Sequence, residues 1–268
     1  NGKTAVDGHF NQTQYAQPAV FAIEYALAQL LQSWEIKPDA LIGYSLGEYV
    51  AACLAGVFSL DDALMLVARR AQMIQQLPTG SMLAVPMSAE QIRPYLQNDI
   101  CLAVINGSNS CVLAGPTPAL EALVQQLSEQ AVACRLLDTG HAFHSTMMTP
   151  IAADLTALVT SMPRHAPQIP YLSNVTGTWI TAAEATDPGY WVRHLCQTVR
   201  FDDGLAHLLA DEHQILLEVG PGQSLSSFAK QHPDCTRSQI GHILPTMPHA
   251  YHGHAAEAFL LGTLGKLW

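Results

Sequence analysis

A serine with a glycine two positions away on each side, Gly43-Tyr44-Ser45-Leu46-Gly47, stands between a short apolar run and a helical segment. Residues 40–42 predict a strand and residues 48–55 a helix. Small residues at this spacing permit a sharp strand-to-helix turn that lifts the hydroxyl clear of the backbone. The helix directs free N–H groups to the same point, so the Leu46 N–H is placed to stabilise an oxyanion. The segment predicts an α/β fold with Ser45 as nucleophile, the alternative being a turn whose serine only caps the helix.

Composition narrows the classes of protein that this turn could belong to. The 268 residues suit one large domain or two small ones, and 49% apolar with 13% charged residues excludes a disordered chain. Lys and Arg number 12 against 22 Asp and Glu, which leaves no broad basic face for nucleic acid or for an anionic membrane. No transmembrane helix is expected. An anionic ligand would have to be held by a few specifically placed arginines.

The start of the chain and its cysteines predict its origin and location. Asn1-Gly2-Lys3 brings neither Met nor a signal peptide, so we expect a piece of a longer, cytoplasmic protein. None of the six cysteines forms a C-x-x-C pair, and we interpret them as reduced core residues. His249, His252 and His254 have no acidic or cysteine neighbours, which favours a solvated loop over a metal site.

Residues 80–140 differ from the segments around them. Their order of elements, β-α-β-β-α-β, is that of a ferredoxin-like unit inserted between two α/β stretches. Its predicted strands cover 82–87, 100–105, 111–113 and 132–137, and its helices 89–97 and 120–129. Elsewhere we predict helices over 18–34 with Pro18 at the first helical position, 59–76, 149–161, 191–195, 201–210 and 255–268, and extended segments over 169–173 and 215–219.

A serine at its free pKa is a poor nucleophile and needs a base. In an α/β-hydrolase the base comes last in chain order, which would mean His232, His242 or the 249–254 group. The rival is His141-Ala142-Phe143-His144, directly after the predicted inserted unit. The residues alone leave both alternatives open.

Arg70 is a candidate ligand for an anion. Its neighbours on the predicted helix are all apolar, namely Leu66, Val67, Met73 and Ile74, whereas Arg69 has Gln72 beside it. The pattern directs Arg70 into the apolar face. A buried guanidinium must find an anion, and its fork suits a carboxylate. That carboxylate belongs either to an Asp or Glu of the chain or to a substrate.

At these residues the sequence resembles the acyltransferase domains of modular polyketide synthases, and it is similar to the malonyl-CoA:acyl-carrier-protein transacylases. The resemblance covers nearly the whole chain. The matching segments, in chain order, are Tyr15-Ala16-Gln17-Pro18-Ala19, Gly43-Tyr44-Ser45-Leu46-Gly47-Glu48, Val67-Ala68-Arg69-Arg70-Ala71, residues 80–85, Asn106-Gly107, His141-Ala142-Phe143-His144-Ser145, Ser173-Asn174-Val175-Thr176-Gly177, Trp191-Val192-Arg193-His194-Leu195 and Glu218-Val219-Gly220-Pro221-Gly222.

The resemblance implies a role for each site residue. Ser45 would be the acylated nucleophile and His144 its base, oriented by the backbone carbonyl of His194 instead of a carboxylate. Arg70 would bind the substrate carboxylate. The remaining substrate-binding positions would be Gln17, Tyr44, Asn106, His141 and Phe143. The H-A-F-H motif goes with malonyl selection in this family, since Phe143 fills the space that an α-methyl group would need.

The resemblance also implies the architecture, with two departures. The large subdomain, 1–79 and 143–268, would be α/β-hydrolase-like, with a ferredoxin-like small subdomain over 80–142. Tyr44 stands where the family usually has His, in the pocket that selects the extender unit. The family's N-terminal G-Q-G segment, which supplies an initial strand and a second oxyanion N–H, has no counterpart in these residues, so we expect a domain that lacks its opening strand.

The expected activity is transfer of a malonyl unit from malonyl-CoA through an acyl-serine to the phosphopantetheine thiol of an acyl carrier protein. Neighbouring synthase domains such as a ketosynthase would be further partners. No metal or redox cofactor is expected, because CoA is a substrate and the carrier protein brings the phosphopantetheine. The alternatives are a serine hydrolase or thioesterase with a Ser-His-acid triad, and an inactive truncated scaffold domain.

Overall fold

Helices and short strands alternate along the chain, and the computed structural model, which describes residues 12–249 and 255–267, belongs to the α/β class. The helices α1 to α11 are Thr13–Ser33, Gly47–Leu54, Leu60–Gln75, Ala89–Ile92, Thr117–Glu129, Ala152–Thr160, Ala182–Thr186, Pro188–Cys196, Phe201–Leu209, Ser224–Gln231 and Ala256–Leu267. The strands β1 to β9 are Leu41–Ile42, Ser81–Val85, Cys101–Gly107, Ser110–Gly115, Arg135–Leu136, Tyr171–Leu172, Val199–Arg200, Leu216–Glu218 and Ile243–Pro245. Short 3₁₀ turns cover Arg93–Tyr95, Thr146–Ile151 and Gln239–His242.

The largest sheet has five strands in the order β5-β2-β4-β3-β7. Its first four strands are antiparallel to their neighbours, and the chain visits them in the order β2-α4-β3-β4-α5-β5. In the register of the central pair, Leu83 faces Leu113. Strand β7 joins from the later part of the chain and runs parallel to β3, with Val104 opposite Val199. The sheet is therefore bonded to the body of the protein as well as connected to it by the chain.

Two parallel strand pairs lie in the body of the protein. Strand β1 pairs with β6, and β8 pairs with β9. A groove of about 970 Å³ lies between the pairs, with Leu41 and Ile42 on one side and Leu216 and Leu217 on the other. Neither Ser45 nor His144 lines this groove, although Gly43, Tyr44 and Gly47 of the serine turn do.

Among the described residues, three buried apolar clusters stabilise the fold, and one of them, which includes Val104, Phe201 and Ile243, joins β3, α9 and β9. Trp191 on α8 is fully buried, and its ring lies 4.9 Å from Tyr49, 5.0 Å from Phe58 and 5.3 Å from Tyr190. The cluster around Trp191 joins α1, α2, α3 and α8 around the serine turn. The third cluster fills the space between the five-stranded sheet and its two helices and includes Leu83, Ile92, Leu113, Leu120 and Leu127. These last two clusters follow the apolar spacing of their helices and strands.

Several predicted elements differ from those in the structure, among them the helix predicted over 149–161, whose first residues belong to the 3₁₀ turn Thr146–Ile151. Helix α1 begins at Thr13, so Pro18 lies inside it and not at its first position. The predicted helix over 89–97 is one α-helical turn followed by a 3₁₀ turn that contains Pro94, because proline cannot extend the α-helical ladder. The predicted strand over 132–137 has only two paired residues, Arg135–Leu136.

All six cysteines are free, but only two of them are core residues. Cys53 and Cys111 are buried, whereas the other four are partly exposed, so the prediction of six core cysteines is wrong in part. No helix within residues 12–249 and 255–267 has the length and hydrophobicity to cross a membrane. His252 and His254 lie outside the described residues.

The buried centre of the five-stranded sheet gives a test of its contribution to stability. Leu113 is 1% exposed, and Leu113→Ala is expected to lower the free energy of unfolding by about 2–5 kcal/mol through lost burial and the cavity left behind. Leu136, on the edge strand β5, is 42% exposed, and Leu136→Ala should cost less than about 1 kcal/mol. Urea denaturation followed by circular dichroism measures both. Equal losses would contradict this assignment of the core.

Candidate active site

The serine turn is held in a conformation that few residues adopt. Strand β1 ends at Ile42, helix α2 begins at Gly47, and Ser45 between them has a φ of 49°. A Cβ atom at position 43 would lie 2.0 Å from the Glu48 backbone nitrogen, so only glycine fits there. The sequence pattern thus produces the sharp strand-to-helix turn that it predicts.

The Asn174 side chain braces this turn from the loop after β6. Its Oδ1 accepts a hydrogen bond from the Ser45 N–H at 2.7 Å, and its Nδ2 donates to the Gly43 carbonyl, also at 2.7 Å. One amide thereby spans the turn and satisfies a donor and an acceptor on either side of it. Sequence reasoning assigned Asn174 no role, although it lies in one of the matching segments.

Ser45 and His144 form a hydrogen-bonded pair. Ser45 Oγ lies 2.6 Å from His144 Nε2, and His144 Nδ1 lies 3.0 Å from the His194 carbonyl oxygen. Since a carbonyl only accepts, Nδ1 carries the proton and Nε2 is free to accept the serine proton. The His144 backbone N–H also donates to the Leu195 carbonyl at 3.2 Å. Helix α8 therefore orients the His144 imidazole through its backbone.

The environment of His144 keeps its imidazole neutral. Burial above all, together with the charges of His194 and Arg70, lowers its pKa from 6.5 to about 3, although the hydrogen bond to the His194 carbonyl opposes this shift. A neutral imidazole can take the proton of Ser45 when the hydroxyl attacks. The imidazolium formed in that step is costly in this site, which favours its rapid return of the proton to a leaving group.

An oxyanion could be stabilised next to Ser45. Leu46 immediately precedes helix α2, where the backbone N–H groups point out of the helix. Among the residues that the structure describes, none accepts a hydrogen bond from the Leu46 N–H. This N–H is therefore available at the positive end of the helix dipole.

Arg70 is fully buried in α3 with half of its guanidinium unpartnered. Nη1 donates to Gln17 Oε1 at 2.7 Å, and the guanidinium carbon lies 5.0 Å from the centre of the Tyr49 ring. Nε and Nη2 have no hydrogen-bond partner, and no acidic side chain in the described ranges is within ion-pair distance. These two nitrogens form one bidentate edge of the fork. The arrangement leaves a buried cation with an edge open to a carboxylate.

The remaining predicted site residues separate into two groups. His141 Nδ1 bonds to the Thr13 hydroxyl at 2.9 Å, and its ring lies 6.2 Å from the half-buried Phe143. Burial lowers the pKa of His141. Tyr44 instead packs with two aromatic side chains, Phe201 at 5.2 Å and Phe228 at 6.4 Å. Burial raises the pKa of the Tyr44 hydroxyl, and a hydrogen bond with the Asn106 side chain on β3 opposes this rise.

The late histidines of a hydrolase-type triad lie elsewhere. His232 Nε2 contacts Asp202 Oδ1 at 3.2 Å, and His242 is exposed at the end of a 3₁₀ turn. Neither contacts Ser45. Within the residues that the structure describes, no three His, Cys, Asp or Glu side chains are grouped so that they could hold a metal ion.

An open crevice of about 500 Å³ reaches the base. His144 and Val175 line it together with Cys196 and Gln197 from the end of α8 and Arg200 from β7. Leu102 of β3 also lines it. A thioester or thiol could approach His144 between the five-stranded sheet and the body of the protein.

Comparisons with known proteins agree on one family. A family model described as the acyl transferase domain matches residues 3–263. The chain is 37% identical over 253 residues to a phenolphthiocerol/phthiocerol polyketide synthase polypeptide of Mycobacterium tuberculosis, covering 94% of this chain but 17% of that protein. It superposes on the acyl transferase domain of ZmaA with a TM-score of 0.90 at 36% identity, covering 99% of this chain and 62% of that one. It superposes on the MCAT from Streptococcus pneumoniae with a TM-score of 0.82 at 25% identity, covering 96% of this chain and 84% of that one.

The low pKa of His144 predicts a loss of stability in acid. Between pH 7 and pH 5 the His144 side chain of the unfolded chain becomes protonated, with a pKa near 6.5, whereas in the folded protein it stays neutral until about pH 3. The folded state is therefore stabilised less as the pH falls. His144 alone should remove about 2 kcal/mol over this range. Burial raises the pKa of Glu24 to about 7, so its protonation stabilises the folded chain over the same range and opposes the loss from His144. The loss is therefore measured as a difference: between pH 7 and pH 5, urea titrations of the wild type should lose about 2 kcal/mol more stability than those of His144→Gln. The exposed His213→Gln is the control, and a pH dependence of His144→Gln equal to that of the control would contradict the assignment.

Proposed function

Because this chain belongs to the acyl transferase domains of polyketide synthases, we propose that it transfers a malonyl unit from malonyl-CoA to an acyl carrier protein. The observation that carries the proposal is the open edge of Arg70. A buried guanidinium without an acidic partner is costly, and the free carboxylate of a malonyl group would supply the missing anion. An acyl group without a carboxylate would leave that charge unpaired, so the site favours diacids.

In the first half-reaction, Ser45 Oγ attacks the thioester carbonyl carbon of malonyl-CoA while His144 Nε2 takes the hydroxyl proton. The Leu46 N–H stabilises the oxyanion of the tetrahedral intermediate. The intermediate then collapses, the carbon–sulfur bond breaks, and the imidazolium returns the proton to the CoA thiolate. The products are malonyl-Ser45 and free CoA.

In the second half-reaction, the phosphopantetheine thiol of a carrier protein replaces CoA. His144 takes the thiol proton, the sulfur attacks the ester carbonyl, and the carbon–oxygen bond to Ser45 breaks. The proton passes to Ser45, which restores the hydroxyl. The crevice of about 500 Å³ that His144 lines supports this route. Neither step uses a metal or a redox cofactor.

Discrimination against larger extender units is assigned to Phe143. Its half-buried ring follows His141 at the junction with the small sheet and packs on the body of the protein. As the family resemblance implies, this ring would fill the space that an α-methyl group needs. Packing alone provides about 1–3 kcal/mol of such discrimination. Because methylmalonyl-CoA carries the α-methyl group, it is the competitor substrate against which this discrimination is best measured. Tyr44 packs with Phe201 and Phe228.

The context of the site is also proposed. Residues 80–142 would be a ferredoxin-like small subdomain, supported by the strand order β5-β2-β4-β3, and the rest an α/β-hydrolase-like large subdomain. The chain spans 17% of the polyketide synthase polypeptide that it matches, which supports partners in the same polypeptide, such as a carrier protein and a ketosynthase domain. A cytoplasmic location fits six free cysteines.

Incubation with malonyl-CoA tests the covalent step directly. Intact-protein mass spectrometry should show one added malonyl group, and peptide mapping should place it on Ser45. The adduct should be absent in Ser45→Ala and should disappear when carrier protein is added to the wild type. A folded wild type that forms no adduct would instead support the scaffold alternative, and rapid loss of the adduct to water alone would support a hydrolase.

Replacing Arg70 tests the choice of substrate. Arg70→Ala removes two charge-assisted hydrogen bonds of about 1.5–3 kcal/mol each, so kcat/KM for malonyl-CoA should fall about 100-fold or more. Transfer of acetyl from acetyl-CoA should fall far less. Arg69→Ala, whose side chain is exposed on the same helix, is the matched control. An unchanged ratio of malonyl to acetyl transfer in Arg70→Ala would exclude the carboxylate role.

A further inference from the structure

Glu48 is a buried charge beside the proposed site to which sequence reasoning assigned no role. It is the second residue of α2 and is fully buried, although a carboxylate in the first turn of a helix could equally point to solvent. A buried carboxylate is costly unless it is fully hydrogen-bonded. Its partners therefore show what it contributes.

The first partner is the loop that braces the nucleophile. Glu48 Oε2 accepts a hydrogen bond from the Asn174 backbone N–H at 2.7 Å. The side chain of the same Asn174 bonds the Ser45 N–H and the Gly43 carbonyl. Glu48 thus holds the residue that holds the serine turn.

The second set of partners lies on α8, the helix that orients the base. The Tyr190 hydroxyl donates to Glu48 Oε1 and also lies 2.7 Å from Ser173 Oγ. The His194 Nε2 atom is 3.3 Å from Glu48 Oε2, and both side chains are completely buried. The carbonyl of that same His194 accepts the hydrogen bond from His144 Nδ1.

We propose that Glu48 is a positioning residue that fixes Ser45, through Asn174, and His144, through Tyr190 and His194, at their mutual distance of 2.6 Å. Oε2 of the carboxylate contacts Asn174, which supports the nucleophile. Both oxygens contact α8, which supports the base, Oε1 through Tyr190 and Oε2 through His194. The carboxylate touches neither reacting group. Its loss would let the two supports shift independently, and small shifts of reacting groups reduce rates strongly.

The experiment measures the reactivity of Ser45 with a fluorophosphonate probe, which requires the serine–histidine pair but neither malonyl-CoA nor Arg70. The inference rests on the proposed function only for the identity of the pair. Failure of the wild type to take malonyl from malonyl-CoA would count against the proposed function, whereas the probe tests Glu48 separately. Rates are expressed per folded molecule, with the folded fraction taken from urea titrations.

Glu48→Gln keeps the shape of the side chain but removes its charge and one acceptor. The labelling rate constant should fall about tenfold or more. With malonyl-CoA, kcat should fall while KM changes by less than about twofold, because no substrate contact is lost. Glu218→Gln is the control, since Glu218 also accepts two backbone N–H bonds, from Leu225 and Ser226, away from the pair. It should label within about twofold of the wild type.

Two further variants separate positioning from folding. Combined with Asn174→Ala, Glu48→Gln should cost less than the product of the two single losses, because both act on the same support. Tyr190→Phe, which leaves the carboxylate in place, should lower labelling in the same direction but less, and it serves as the test if Glu48→Gln does not fold. The proposal would be overturned if folded Glu48→Gln were labelled at the wild-type rate. It would also be overturned if the losses of Glu48→Gln and Asn174→Ala multiplied fully in the double variant. Where Glu48→Gln cannot be measured, an unchanged labelling rate in Tyr190→Phe would overturn it.

Discussion

The left-handed backbone of Ser45 is the constraint on which the site depends. A non-glycine residue at a φ of 49° is strained by about 1–3 kcal/mol and persists only where its surroundings fix it. Here the surroundings are Gly43, which leaves space for the backbone of Glu48, and Asn174, which bonds both sides of the turn. The base repeats the arrangement, since His144 has a φ of 58° and is bonded through its backbone to α8.

The two buried charges near this turn are treated in opposite ways. Glu48 accepts hydrogen bonds from the Asn174 N–H and the Tyr190 hydroxyl, and His194 Nε2 lies 3.3 Å from its Oε2. Arg70, equally buried, keeps an edge of its guanidinium without a partner. A protein gains nothing in stability from an unpartnered buried cation, so its presence is best explained by a ligand. Under the proposed function, the contrast separates a charge that organises the site from one that selects the substrate.

Local sequence patterns predicted the parts of this site that local physics determines. The spacing of Gly43, Ser45 and Gly47 gave the turn, and helical periodicity placed Arg70 inward. The choice between His144 and the later histidines required long-range packing, because the residues alone were compatible with both. The role of Asn174 could not be predicted for the same reason, because its hydrogen bond to Ser45 comes from a distant loop. The position of Pro18 inside α1 could not be predicted either, because the extension of the helix N-terminal to this proline leaves no local signal.

The parallel pairing of β7 with β3 has a consequence for recombining this domain with its relatives. The Arg200 N–H donates to the Asn174 carbonyl, and β7 leads from α8 to the edge of the five-stranded sheet. A chimera cut at residues 80 and 142 would exchange four strands but leave their fifth neighbour behind. The mismatch would fall on the pairing of β3 with β7, one hydrogen bond away from the loop that braces Ser45. Grafts that keep 80–142 and 197–203 from the same parent preserve that junction, so the unit of exchange is discontinuous in sequence although contiguous in space.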